Sequence, residues 1–375
     1  MNILVLFTYG MSFKSWQNAG ILDREIKLYN TISEKYEINY TFLTFGDSED
    51  FEFSNKVKNS TIIPIYHKNK YYQNKLIRFL HTFYIAFKLR TDFKNMDIVK
   101  SNQLMGSWIG IILKFFNKTP LIVRTGYDIF SFSLKNRKLF IKIFFYYLLT
   151  QISLIFSDLY IVTSASDKKL LKKYFLFNEK KFIINPNWVD TKTDLTPHEK
   201  RYATKILSIG RLEYQKNYEF LINELKDSNF EIDIYGEGSL HNNLIELSKK
   251  NNVRLNLFGT LPNKDLLEVM EKYKFFCLMS RFEGNPKATL EAMSRGCVCI
   301  VSNISSNKEI IEDKINGFLV HYIDGELSNK INNIVNDENL IKKIGLEAQK
   351  NINKNFSFEN ALLIERKNYK SVLNI

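Results

Sequence analysis

The sequence predicts an α/β protein of two parallel-sheet domains, and three observations carry that prediction. A chain of 375 residues exceeds what one hydrophobic core usually organises. Short apolar β-forming runs alternate with longer helical stretches in both halves, the pattern of repeated βαβ units. A string rich in Pro, Asn and Thr separates the two series.

In the first half the predicted strands are "NILVLF", "NYTFLTF", "TIIPIY", "DIVKSN", "PLIVRT" and "LYIVTS". Residues 139–156 form an 18-residue run whose only charge is Lys142, a length that suits a membrane span. The apolar runs on either side read as buried parallel strands, however, and a span between them would put them on opposite sides of a bilayer. The segment is therefore predicted to be a crossover helix, partly lipid-facing. The connection is "INPNWVDTKTDLTPHEKRY", and the second half continues with "KILSIG", "EIDIYG", "VRLNLFG", "FFCLMS" and "CVCIVSN". The predicted division is an N-terminal domain of residues 1–190, a C-terminal domain of 191–358, and a final helix over 359–375 that packs back on the N-terminal domain.

Apolar residues make up 45% and charged residues 25%, the composition of a globular protein and not of a disordered or collagen-like one. The net charge of +13 is unevenly placed: residues 1–190 hold 27 Lys and Arg against 15 Asp and Glu, and residues 51–150 alone hold 17 against 4. That imbalance fits an anionic partner or a solubilising excess. No nucleic-acid-binding signature accompanies it, so an anionic membrane is preferred over nucleic acid. Basic and aromatic residues interleave over 66–90, where Lys75, Arg78, Lys88 and Arg90 are the predicted membrane-facing charges; the alternative is a helix packed on the sheet with its basic residues solvated. A second basic patch is Lys135, Arg137, Lys138 and Lys142. The three cysteines, Cys277, Cys297 and Cys299, sit among β-forming apolar residues and read as buried thiols of a reducing compartment. The opening "MNILVLFTYG" reads as a first strand and not as a signal peptide. The expected location is the cytoplasm, at the inner face of the membrane.

Ligands of open α/β sheets bind beyond the carboxyl ends of the strands, and with two such domains the expected site is a cleft between them. The strongest motif is "SRFEGNPKATLEAMSRGCVCIVSN", in which seven residues separate Glu283 from Glu291. Asn285 suits an N-cap, Pro286 the first helical position and Gly296 the position just past the helix. Backbone N–H groups around Lys287 and Ala288 would then face an anion at the positive end of a helix, with Glu291 about two turns in. The bland alternative is a helix whose acids face solvent. The second motif is "KILSIGRLEYQKNYEFLINEL", where Arg211 and Lys216 follow a strand ending in Gly210. The two cations can converge on one phosphate, Arg through its fork and Lys as a mobile charge.

These two strings, in this order, resemble the group 1 glycosyltransferases, family 4 of the carbohydrate-enzyme classification. "YGEGSL", "LFGTLPNKDLLEVM", "NKEIIEDKINGFLV" and "NPNWVD" extend the likeness over residues 185–320, while the N-terminal half matches loosely. The resemblance implies a GT-B fold, two Rossmann-like doubly wound domains facing across a cleft, and transfer of a sugar from a nucleotide-diphosphate sugar with retained configuration. It implies that Arg211 and Lys216 hold the diphosphate, that Glu291 holds the ribose, and that Glu283 acts catalytically beside the donor sugar. The amides of Lys287 and Ala288, and Gly20 in "WQNAGILDRE", would approach the β-phosphate.

Cations and helix amides can neutralise the departing diphosphate, and the sequence offers no Asp-x-Asp after a strand to hold a magnesium ion. No metal and no tightly bound cofactor is expected. Where relatives often carry a cleft-facing His after "PLIVRT", this chain has Gly126, Tyr127 and Asp128. Arg124, Tyr127 and Asp128 are candidate contacts to acceptor or donor sugar, with a structural strand-end role equally open for Arg124. The expected acceptor is a lipid-linked or surface-polysaccharide glycan precursor. The rival readings are a sugar-nucleotide epimerase of the same fold and a non-enzymatic relative that binds membrane or a partner glycosyltransferase; an eroded donor site would mark the latter.

Overall fold

The computed structural model describes residues 1–126, 129–135, 139–176 and 178–373. The chain divides into two compact units, one of residues 1–186 and 362–375 and the other of residues 187–361.

The first unit runs β1 (Asn2–Leu6), α1 (Phe13–Asn18), α2 (Leu22–Tyr36), β2 (Asn39–Thr44), β3 (Ser60–Pro64), α3 (Ile65–Lys68), α4 (Lys75–Leu89), β4 (Ile98–Ser101), α5 (Ser107–Asn117), β5 (Leu121–Arg124), α6 (Ile129–Lys135), α7 (Phe140–Phe156), β6 (Leu159–Val162), α8 (Ala165–Tyr174) and β7 (Phe182–Ile184). Its strands form one parallel sheet in the order β3-β2-β1-β4-β5-β6-β7. The second unit runs β8 (Tyr202–Ile209), α9 (Tyr218–Glu224), β9 (Glu231–Tyr235), α10 (His241–Lys250), β10 (Arg254–Leu257), α11 (Asn263–Met270), β11 (Tyr273–Leu278), α12 (Lys287–Ser294), β12 (Val298–Ser302), α13 (Ser305–Lys308), β13 (Phe318–Val320), α14 (Glu326–Ile334) and α15 (Glu338–Asn355). Its parallel sheet has the order β10-β9-β8-β11-β12-β13. The last helix, α16 (Phe358–Leu373), begins in the second unit and ends in the first.

All the predicted strands form, but β7 and β13 are additional. Each is three residues long and lies at a sheet edge, too short for an alternation signal to stand out from the flanking polar residues. In the second unit the strands bury side chains on both faces. Ile206, Ile232, Phe275, Val298 and Ile300 point into one core, and Leu207, Phe276, Cys299 and Val301 into the other. That two-sided burial explains why these strands read as continuous apolar runs. All three cysteines are buried and free, and burial raises each thiol above its ordinary range, Cys297 to about 11.

An ion pair is buried in the core of the first unit. Lys100 on β4 is buried and ion-paired with Glu365 of α16, and Tyr369 lies 3.4 Å from its Nζ. Burial opposes both charges, yet each partner offsets that penalty, holding Lys100 above its usual range and Glu365 below it. Arg124, at the end of β5, adds to the field that holds Glu365 ionised.

Candidate active site

Strand order reverses between β8 and β11, since β8 runs outward to β9 and β10 while β11 runs to β12 and β13. Loops leaving neighbouring strands at such a point diverge and open a crevice beyond the carboxyl ends. The segments after these two strands carry Arg211 and Lys216, and Glu283 with α12.

The first loop leaves β8 at Gly210, whose φ of +153° lets the chain turn sharply. The glycines of "YGEGSL" serve close approach: a Cβ on Gly236 would lie 2.1 Å from the Gly210 carbonyl oxygen, and one on Gly238 would lie 2.4 Å from that of Leu212. Only glycine lets the segment after β9 press against this loop. Lys216 then ends a 3₁₀ turn, Tyr214–Lys216, and Tyr218 donates from its hydroxyl to the Gly210 carbonyl at 3.0 Å.

The two loops are locked together through Gln215, which the sequence reading passed over. The Arg281 amide donates to the Gln215 carbonyl at 2.8 Å. Gln215 Nε2 donates to the Phe282 carbonyl at 3.0 Å and to Glu283 Oε2 at 3.2 Å. Arg211 Nη2 donates to Gln215 Oε1 at 3.3 Å. Lys216 Nζ closes the group on Glu283 Oε1 at 2.6 Å, and both side chains are largely buried. Arg211, Lys216 and Glu283 thus meet at one place, with Arg211 exposed. The position of Gln215 between Arg211 and Lys216 is the signal the sequence offers, but periodicity alone does not distinguish it from a solvated loop residue.

Helix α12 starts one residue later than the sequence suggests. Pro286 is its N-cap, without a side-chain cap. Asn285 is not the cap because its side chain is engaged elsewhere: Asn187 N donates to Asn285 Oδ1 at 2.9 Å, and Asn187 Nδ2 to the Asn285 carbonyl at 2.9 Å. Two residues 98 positions apart therefore fix the loop that delivers Glu283. The helical hydrogen bonds begin with Thr289 N and Leu290 N, both to the Pro286 carbonyl, so the amides of Lys287 and Ala288 precede them. Glu291 is the fifth residue of the helix and not two turns in; it is buried and accepts from Asn263 Nδ2 at 2.8 Å. Gly296, at φ +71°, does end the helix after Arg295.

The remaining predicted residues belong to the first unit. Gly20 has φ +65° in the turn between α1 and α2. Gly126 donates its amide to Gln103 Oε1 at 2.7 Å, and Tyr127, Asp128, Arg137 and Lys138 lie outside the described residues. Lys75 and Lys88 are exposed on α4, whereas Arg78 and Arg90 are half-buried against aromatic rings. Among the described residues no three His, Cys, Asp or Glu side chains are grouped to hold a metal ion.

Residues 194–351, which include Arg211, Gln215, Lys216, Glu283 and Glu291, match the family model described as glycosyl transferases group 1. Over those residues the chain carries a group 1 glycosyltransferase domain. It is 26% identical to an uncharacterized glycosyltransferase of Methanocaldococcus jannaschii over 92% of this chain and 93% of that one. It is 30% identical to the UDP-Gal:alpha-D-GlcNAc-diphosphoundecaprenol alpha-1,3-galactosyltransferase of Escherichia coli over 61% of this chain and 63% of that enzyme. Among solved structures, Anabaena HepE in complex with UDP and glucose superimposes with a TM-score of 0.76 at 16% identity, covering 99% of this chain and 100% of HepE. The fold of this glycosyltransferase is GT-B, with two Rossmann-like units.

Proposed function

We propose that this glycosyltransferase moves a sugar from a nucleotide-diphosphate sugar to a lipid-linked or surface-polysaccharide glycan precursor, with retention at the anomeric carbon and without a metal ion, at the cytoplasmic face of a membrane. The observation that carries the reading is the meeting of Arg211, Lys216 and Glu283 beside the start of α12, at the switch point of the second sheet. In the reaction the bond from the anomeric carbon to the β-phosphate oxygen breaks, and an acceptor oxygen takes its place on the same face. Negative charge grows on the departing diphosphate, and Arg211, Lys216 and the α12 amides are positioned to neutralise it as it forms.

Glu283, next to those cations, acts on the sugar; Glu291, now held by Asn263, takes the ribose hydroxyls. Two relatives support the substrate classes. HepE binds UDP and glucose, and the E. coli enzyme is named for a UDP-sugar and a diphosphoundecaprenol acceptor.

The test is calorimetry with a panel of nucleotide diphosphates in the presence of EDTA. Each charge-assisted bond lost from the clamp removes about 1.5–3 kcal/mol, so Arg211→Ala and Lys216→Ala should each weaken binding at least tenfold. Unchanged affinity in both variants removes the proposed site, and loss of wild-type turnover in EDTA removes metal independence.

A further inference from the structure

We propose that α4, α5 and α7 of the first unit form a docking face for an anionic lipid bilayer. The connections from β3 to β4, β4 to β5 and β5 to β6 all run in the same direction across the sheet, so right-handed crossovers place all three helices on the same face of it. Helix α5 packs against both α4 and α7. Phe87 of α4 meets Phe116 of α5 at 5.4 Å between ring centroids, and Phe79 of α4 meets Phe145 of α7 at 5.5 Å.

The outer side of this layer is apolar. On α7, Phe140 and Ile141 are 79% and 80% exposed, and Phe144, Leu148, Ile152 and Ile155 continue the stripe along one side of the helix. Leu149, Thr150, Ser153 and Leu154, on its opposite side, are buried. Helix α4 turns Leu76, Leu80 and Tyr84 outward, and Phe115 of α5 is 72% exposed. Monomeric proteins rarely leave so many large apolar side chains together in water.

Charge selects the occupant. None of α4, α5 and α7 contains an Asp or Glu, and among the described residues no carboxylate lies within ion-pair distance of Lys75, Arg78, Lys88 or Lys142. The Arg90 guanidinium lies 3.8 Å from the Phe87 ring centroid, and that of Arg78 lies 4.4 Å from the Tyr71 centroid. Cations layered on aromatic rings beside an apolar stripe match a headgroup boundary, where rings sit at the interface and basic side chains reach lipid phosphate. Among the described residues no helix is long and apolar enough to cross a membrane, so α7 lies along the surface. Docking there serves the lipid-linked acceptor proposed above, although the observations that point to it are independent of the donor site.

The test is sedimentation of the full chain with vesicles of phosphatidylcholine alone and of phosphatidylcholine with phosphatidylglycerol in equal parts. The mixed vesicles should bind, and binding should fall at least tenfold as salt rises. Phe140→Ser with Ile141→Ser and Phe144→Ser should weaken binding at least tenfold at low salt. Lys75→Glu with Arg78→Glu, Lys88→Glu and Arg90→Glu should abolish it, since each basic residue near such a surface contributes about fivefold. Both variants should keep the wild-type nucleotide-diphosphate affinity, a control that separates this surface from the donor site. Equal binding to neutral vesicles, no binding to either kind, or a dimer in light scattering that Ile141→Asp dissociates would each overturn the proposal.

Discussion

Replacing Glu283 by Gln should separate binding from chemistry. Lys216 Nζ is 2.6 Å from Glu283 Oε1, with the side chains 13% and 9% exposed. A charge-assisted hydrogen bond of this kind is worth about 1.5–3 kcal/mol. A diphosphate that draws Lys216 toward itself must overcome whatever part of that bond is lost. Glu283→Gln keeps the size of the side chain and a hydrogen-bonding oxygen while removing the competing charge. Nucleotide-diphosphate binding should therefore stay the same or tighten, by up to about tenfold. Transfer should slow by about 10²-fold or more, because the lost carboxylate acts on the sugar and not on the phosphates. Calorimetry gives the first quantity; initial rates of donor turnover, with a diphospho-lipid acceptor or with water, give the second. Binding weakened tenfold would mean that the carboxylate helps hold the nucleotide, and a near-normal kcat would remove its catalytic role.

Three further outcomes follow from the geometry. Glu291→Gln should chiefly weaken donor binding and leave kcat at saturating donor within a few-fold; a fall in kcat with unchanged KM would contradict the ribose role. Lys100→Met should destabilise the first unit by about 3–5 kcal/mol by leaving Glu365 buried without its partner, and Lys100→Met with Glu365→Leu should recover most of the loss. Urea unfolding of the single and double variants measures this, and equal losses in both would show that the pair is not the cause. His198 is buried and, among the described residues, has no hydrogen-bond partner on either ring nitrogen, and burial, reinforced by Arg201 and Lys274, pushes its pKa down from 6.5 to about 4. The unfolded chain then binds the extra proton between those values, so stability from this site is complete above pH 6.5 and is lost as pH falls toward about 4. His198→Leu should flatten that part of the pH profile of the urea midpoint, and an unchanged slope would place the dependence elsewhere.

The sequence by itself determined the alternation of strands and helices, because parallel strands buried on both faces need unbroken apolar runs such as "FFCLMS" and "CVCIVSN". It also singled out Arg211, Lys216 and Glu283, because charged residues and glycines soon after a strand stand out against an apolar background, and Glu291 through the motif it shares with Glu283. Tertiary structure alone decided how those residues are held. Gln215 joins two loops that leave neighbouring strands, and Asn187 takes the side-chain oxygen of Asn285 away from the helix cap it would otherwise make. The Lys100–Glu365 pair joins residues 265 positions apart. Such contacts depend on which strands become neighbours, and the order of strands in a sheet leaves no periodic trace along the chain. The apolar stripe of α7 makes the same point in reverse: its composition was plain in the sequence, but only packing decided that Phe140 and Ile141 face outward while Leu149 and Leu154 are buried.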